Sequence, residues 1–146
     1  MQVDFYHLTR TPVERVLPRI AERVLEESGR LLIVSEDEAL AERLDAHLWN
    51  YRPESFLPHG RAGASGEKDQ PVLISASCEA SNLARNIALG DGVWRDDALK
   101  FDRAFLLFGE DHIQDARETW RSLGKIEGLD LRYWKQDEAG KWQRER

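Results

Sequence analysis

Leu31-Leu32-Ile33-Val34-Ser35-Glu36-Asp37-Glu38 passes from four consecutive apolar residues into a serine-led acidic segment. An apolar run without polar alternation is the pattern of a strand buried on both faces, as in a parallel sheet. Ser35 and Glu38, three apart, read as a capping box that starts a helix. Leu40, Leu44 and Leu48 then supply its apolar stripe as far as Trp49. A strand feeding directly into a helix is half of a βαβ unit, so the fold class depends on whether the rest of the chain repeats it.

The pattern recurs on both sides. Asp4 to Leu8 reads as a first short strand. Thr11-Pro12-Val13-Glu14 reads as another capping box, with proline at the first helical position. Val13, Val16, Leu17, Ile20, Val24 and Leu25 keep helical spacing up to a stop at Gly29, and Pro18 within them predicts a kink or a late start. Beyond a polar, glycine-containing loop from Gly60 to Gln70, strands are expected over Pro71 to Ala76, Asn86 to Leu89 and Ala104 to Phe108. Asp111 opens a third helix. Leu129 to Trp134 alternates as an edge strand would, with a hairpin return through Lys141 and Trp142 around Gly140. The expected architecture is one α/β domain over residues 1–146, a largely parallel sheet with helices on both faces.

Composition bounds the function. Of 146 residues, 33% are charged and the net charge is −6, which argues against broad coating of nucleic acid. No run approaches the roughly 18 apolar residues of a membrane span, and the opening residues lack a signal-peptide layout. With a single cysteine, Cys78, no internal disulfide is possible, and no Cys/His spacing resembles a metal site. A cytoplasmic protein without cofactor or metal is expected. The charge is uneven: residues 1–114 hold 13 Lys/Arg against 20 Asp/Glu, a net of −7, and residues 115–146 hold 8 against 7, a net of +1.

Candidate chemistry is sparse. Glu36, Asp37 and Glu38 after an apolar strand are placed as the magnesium-holding acids of nucleotide hydrolases are, but a phosphate cradle is missing. The loop from Gly60 to Lys68 does not fit G-x-x-x-x-G-K-[ST], and it precedes a strand, not a helix. The acids are better read as complementing a helix dipole. His7, His47, His59 and His112 show no spacing for a metal or a base–nucleophile pair, and nothing basic adjoins Cys78 in sequence. No enzyme is expected.

Two features remain. At about 100° per residue, Ile113, Ala116, Trp120 and Leu123 fall in one quadrant of the third helix. Arg117, Arg121 and Lys125, at i, i+4 and i+8, form a cationic row along its edge. The other is Trp49-Asn50-Tyr51-Arg52-Pro53-Glu54-Ser55-Phe56-Leu57-Pro58-His59, where a helix end runs into an aromatic, proline-punctuated loop.

Together with Phe5-Tyr6-His7-Leu8, Leu31 to Glu38, Leu44-Asp45, Leu48-Trp49, Gln70 to Ile74 and Ala116-Arg117-Glu118…Trp120-Arg121, this aromatic segment resembles the chi subunit of the bacterial DNA polymerase III holoenzyme, a clamp-loader accessory protein. The resemblance runs almost end to end and implies a Rossmann-like, non-catalytic adaptor that meets DNA mainly indirectly, as a monomer within a hetero-complex. It implies that one face binds the psi subunit or a helicase partner through Trp49, Pro53, Phe56 and Leu57. The opposite face would hold the acidic C-terminal tail of single-stranded DNA-binding protein through Leu106, Arg117, Trp120, Arg121 and Lys125. Ile113 stands where the family often has lysine, which implies either lower affinity for the acidic tail or substitution by Lys125. Arg117→Ala and Trp120→Ala are both expected to weaken tail binding with the fold intact. Two alternatives stand beside this reading. One is a nucleotide-binding, helicase-like remnant using Glu36 to Glu38. The other is direct single-strand binding with Trp134 and Trp142 as stacking platforms.

Overall fold

The computed structural model describes residues 1–51 and 57–145. In chain order its elements are β1 (Gln2–His7), α1 (Val13–Glu26), β2 (Leu31–Val34), α2 (Glu38–Trp49), β3 (His59–Arg61), β4 (Val72–Ser75), β5 (Asn86–Leu89), β6 (Arg103–Phe108), α3 (Ile113–Leu123), β7 (Asp130–Gln136) and β8 (Trp142–Arg144). Among the described residues the strands form one eight-stranded sheet in the order β3-β4-β2-β5-β6-β1-β7-β8. Every neighbouring pair is parallel except β7 with β8. The expected α/β class is the observed one.

Strand alternation sorts the core into two layers. Leu31, Ile33, Val72, Ile74, Phe105 and Leu107 face α1 and α2. Val3, Phe5, Leu32, Val34, Leu106 and Phe108 face the side covered by α3. β2 is sealed on both faces, each of its four residues being buried, as its unbroken apolar run requires.

Several local expectations are corrected. Ser35 does not cap α2: Asp37 does, its carboxylate accepting from the Ala39 and Leu40 amides at 3.0 and 3.3 Å. Ser35 is buried, and its hydroxyl oxygen accepts from the Asp37 amide at 3.1 Å. Thr11 does not cap α1 either, because Pro12 occupies the N-cap with extended backbone and no side-chain cap bond. The helix starts at Val13 and runs through Pro18, so the late start is not seen. Thr11 is instead tied to the far end of the chain. Buried Gln136 donates from Nε2 to the Thr11 hydroxyl at 2.9 Å, while its Oε1 accepts from the Arg10 and Thr11 amides at 3.0 and 3.2 Å.

α1 closes through Ser28 rather than at Gly29: Ser28 takes the left-handed conformation at φ 62°, and the Gly29 amide donates to Val24. β7 is not an edge strand. It pairs along its length with β1, and β8 pairs with its last three residues on the other side.

Candidate functional site

The third helix packs on the sheet over Phe5 of β1 and leaves a groove between itself and β7. A short 3-10 turn, Glu110–His112, leads into it. Ala116 and Leu123 are buried against the sheet, while Ile113 and Trp120 are half-buried at the groove wall. The groove has a volume of about 680 Å³, and Arg117, Tyr133 and Lys135 complete its cationic and aromatic lining.

Aromatic packing fixes the wall. Trp120 meets Phe5 edge-on at 5.1 Å between centroids and Tyr133 edge-on at 5.6 Å. Phe5 in turn stacks against Tyr133 at 6.3 Å. Such edge-on geometry aims ring hydrogens at a π face and holds each ring in one orientation.

His7 closes one end of the groove, its ring stacked on Phe108 at 5.1 Å. Its Nε2 lies 3.0 Å from a Glu110 carboxylate oxygen and its Nδ1 lies 3.3 Å from the Tyr133 hydroxyl. A carboxylate only accepts, so Nε2 carries a proton towards Glu110, and Nδ1 pairs with the tyrosine hydroxyl. Burial pushes the Tyr133 phenol above its ordinary pKa, while the nearby Arg117 charge pulls the other way. The tyrosine therefore remains a hydrogen-bond donor at neutral pH.

Arg117 is exposed and makes no ion pair among the described residues. That leaves its guanidinium available to a carboxylate from outside, beside the Trp120 ring. Arg121 is also exposed, but its Nε donates to the Arg117 carbonyl of its own helix at 3.4 Å and it does not line the groove.

Lys125 does not continue the row, because α3 ends at Leu123 and Lys125 falls in the turn beyond. The second cation is Lys135 of β7, which pairs in register with His7. Leu106 is likewise displaced from the expected wall. At 1% exposure it belongs to the buried layer beneath α3, because its strand faces the core on both sides.

At the other site, Trp49 is 55% exposed at the end of α2 and packs edge-on against His59 at 4.9 Å. His59 is buried, with Nδ1 donating to the Leu57 carbonyl at 2.7 Å and Asp45 Oδ1 standing 3.0 Å from Nε2. Leu57 is no partner-facing residue: it is 3% exposed and packs in the core layer under α1 and α2. Pro53 and Phe56 lie outside the described residues.

The acidic segment after β2 is engaged within the fold. Asp37 caps α2, and Glu38 pairs with Arg61 at 2.7 Å. The Glu36 amide donates to Asp91 at 3.0 Å, and Asp91 pairs with Arg95 at 2.8 Å. Burial alone would raise the Asp91 carboxyl, but hydrogen bonds from Arg95 and the Glu36 and Val93 amides outweigh it and hold the group below the usual carboxylate range. Burial also pushes the Cys78 thiol upward despite nearby Arg95, so it stays protonated at neutral pH.

Residues 1–132 match the family described as DNA polymerase III chi subunit, HolC. The chain belongs to the DNA polymerase III chi subunit family. Chi of Escherichia coli strain K12 is 32% identical over 122 residues, covering 82% of each chain. The Haemophilus influenzae chi subunit is 32% identical over 147 aligned positions, covering 88% of this chain and 92% of its own length. Chi of Pseudomonas aeruginosa is 35% identical over 102 residues, with 60% and 72% covered. The protein is thus an accessory subunit of DNA polymerase III that acts in DNA replication. Among the described residues no helix is long and apolar enough to cross a membrane.

His7, Tyr133 and Lys135 are groove residues that the sequence reading missed. Alternation along β7 places Tyr133 and Lys135 on one face. Only the parallel pairing with β1 shows that this is the face carrying Phe5 and His7.

Proposed function

We propose that this chain is a non-catalytic, single-domain adaptor of the cytoplasmic replication machinery, a monomer within its hetero-complex. Its α3–β7 groove receives the acidic C-terminal tail of single-stranded DNA-binding protein. The observation that carries this reading is Arg117, uncommitted among the described residues, at the mouth of a groove walled by Trp120 and Ile113. A peptide ending in acidic residues and an aromatic side chain needs a donor fork for its carboxylate and an apolar slot for its ring. A charge-assisted hydrogen bond contributes about 1.5–3 kcal/mol and burial of one aromatic a few more, before ordering costs. Micromolar affinity, about −8 kcal/mol, is the expected scale, weakened by salt. Glu110 and Glu145 at the rim oppose a highly acidic ligand, and Lys135 offsets them.

A second contact is proposed at the end of α2, where exposed Trp49 offers a large apolar anchor to a psi-type subunit or a helicase partner. The resemblance of the Trp49 to His59 segment to the chi family supports this assignment. Titrating the isotopically labelled protein with a tail peptide tests the first contact. Resonances of Ile113, Arg117, Trp120, Tyr133 and Lys135 are expected to shift together while those of α1 stay fixed. Shifts confined to α1 and α2 would rule the groove out.

A further inference from the structure

On the sheet face opposite the α3 groove, α1 and α2 cover residues of β2, β4, β5 and β6. There α1, Arg103 and Phe105 of β6, Tyr6 of β1 and the β7–β8 hairpin enclose a groove of about 530 Å³. A smaller hollow of about 260 Å³ continues it along α1, sharing Arg19 and Trp142 with it. Arg15, Arg19 and Arg23, at i, i+4 and i+8, line one wall as a row about 6 Å apart along the helix axis. All three are exposed, and none has an ion pair among the described residues.

The floor is aromatic. Half-buried Tyr6 stacks with Trp134 at 6.1 Å and meets Trp142 edge-on at 5.1 Å. Buried Asp4 holds this floor in place, accepting from Trp134 Nε1 at 3.0 Å and from Arg103 Nε at 3.1 Å. Arg103 lies over the Phe105 ring at 4.6 Å. In a protein of net charge −6, no Asp or Glu lines either stretch of this groove among the described residues. The α3 groove, by contrast, carries two glutamates.

We propose that this groove binds a short stretch of single-stranded DNA, with backbone phosphates along the α1 arginines and bases against Tyr6, Trp134 and Trp142. Unpaired guanidinium groups opposite half-buried aromatic rings match a polyanion that carries flat rings. An acidic peptide fits less well. The Asp4 carboxylate and the Trp134 indole N–H satisfy each other, so they are not open to backbone amides. The net negative charge confines binding to this groove and to a few phosphates. The site is independent of the tail-binding reading, lying on the other face of the sheet.

A labelled oligothymidylate titrated into the full-length chain at low salt, followed by anisotropy, tests the proposal. Three phosphate contacts give a salt slope of about −2, hence about 20-fold weaker binding from 50 to 200 mM salt. The double variant Arg19→Glu/Arg23→Glu, altered only at exposed positions, is expected to bind at least about tenfold more weakly with an unchanged melting profile. Arg117→Ala should bind the oligonucleotide as the unaltered chain does. Quenching of tryptophan fluorescence should accompany binding and shrink in Trp142→Leu. No saturable binding at low salt, equal binding by the double variant, or displacement by a polyglutamate peptide at equal charge concentration would each overturn the proposal, the last by assigning the groove to acidic polypeptides.

Discussion

Replacing Trp120 by alanine removes an indole that both walls the α3 groove and holds the sheet beneath it. The ring is half-buried, so roughly 100 Å² of apolar surface loses its cover, about 2.5 kcal/mol at 25 cal/mol per Å². It also makes edge-on contacts with Phe5 at 5.1 Å and Tyr133 at 5.6 Å. Each such pair contributes about 0.5–1.5 kcal/mol beyond area. Relaxation of Tyr133 into the vacated space recovers part of this, leaving an expected loss of about 3 kcal/mol. For a chain of this length that corresponds to a Tm lower by about 6–12 °C.

Urea unfolding followed by far-UV circular dichroism, with calorimetry for Tm, measures the loss. Arg117→Ala, at an exposed position, should stay within about 0.5 kcal/mol of the unaltered chain. Arg117→Ala is thus the variant expected to leave stability unchanged, and Trp120→Ala the one expected to lower it. A loss under about 1 kcal/mol for Trp120→Ala would refute the packing argument and restore that variant as a clean probe of tail binding.

Asp37→Ala should cost about 1 kcal/mol, the usual value of an N-cap, because the Ala39 and Leu40 amides lose their acceptor; chemical denaturation measures it. Asp91→Ala removes the nearest carboxylate of Arg95, whose side chain is only 14% exposed, leaving it the Val93 carbonyl at 3.0 Å and Glu36 at 3.6 Å, and should cost about 1–3 kcal/mol in the same assay. The Asp91 carboxyl is held low in the folded state. Its contribution is therefore complete at neutral pH, starts to fade below the ~3.9 of an unfolded aspartate and is gone below the folded value. Stability measured from pH 7 down to pH 2 should accordingly fall less steeply for Asp91→Ala than for the unaltered chain. Parallel acid limbs would remove the pair as a source of stability.

The fold was legible wherever burial is uniform. Leu31 to Val34 and Ala104 to Phe108 are apolar without interruption because both sheet faces are covered there, so local pattern and tertiary environment agree. Capping was less legible. Ser35 and Asp37 are both good N-cap residues two positions apart, and only the bend after β2 decides that Asp37 reaches the free amides.

β7 alternates as an edge strand would because the hairpin return expected around Gly140 covers its other side for only three residues. In the site, Arg117 and Trp120 were readable from helical spacing alone. Lys135 and His7 were not, because they meet through strand pairing between residues 128 positions apart in sequence. Leu57 and Leu106 were misplaced since apolar residues in a motif give no sign of which way they face. The arginine row of α1 has the same periodicity as any solvated helix face. It acquires its aromatic floor only when the C-terminal hairpin brings Trp142 beside Tyr6.

The central claim is that the Arg117 guanidinium, free of internal partners among the described residues, grips the carboxyl end of an acidic tail. Anisotropy titration of a labelled tail peptide against the unaltered chain and Arg117→Ala, at matched low salt, tests it most directly. Loss of one charge-assisted contact predicts affinity about 10- to 100-fold weaker in the variant, with the same peptide amidated at its C-terminus losing affinity for the unaltered chain. Equal dissociation constants for the two proteins would contradict the account.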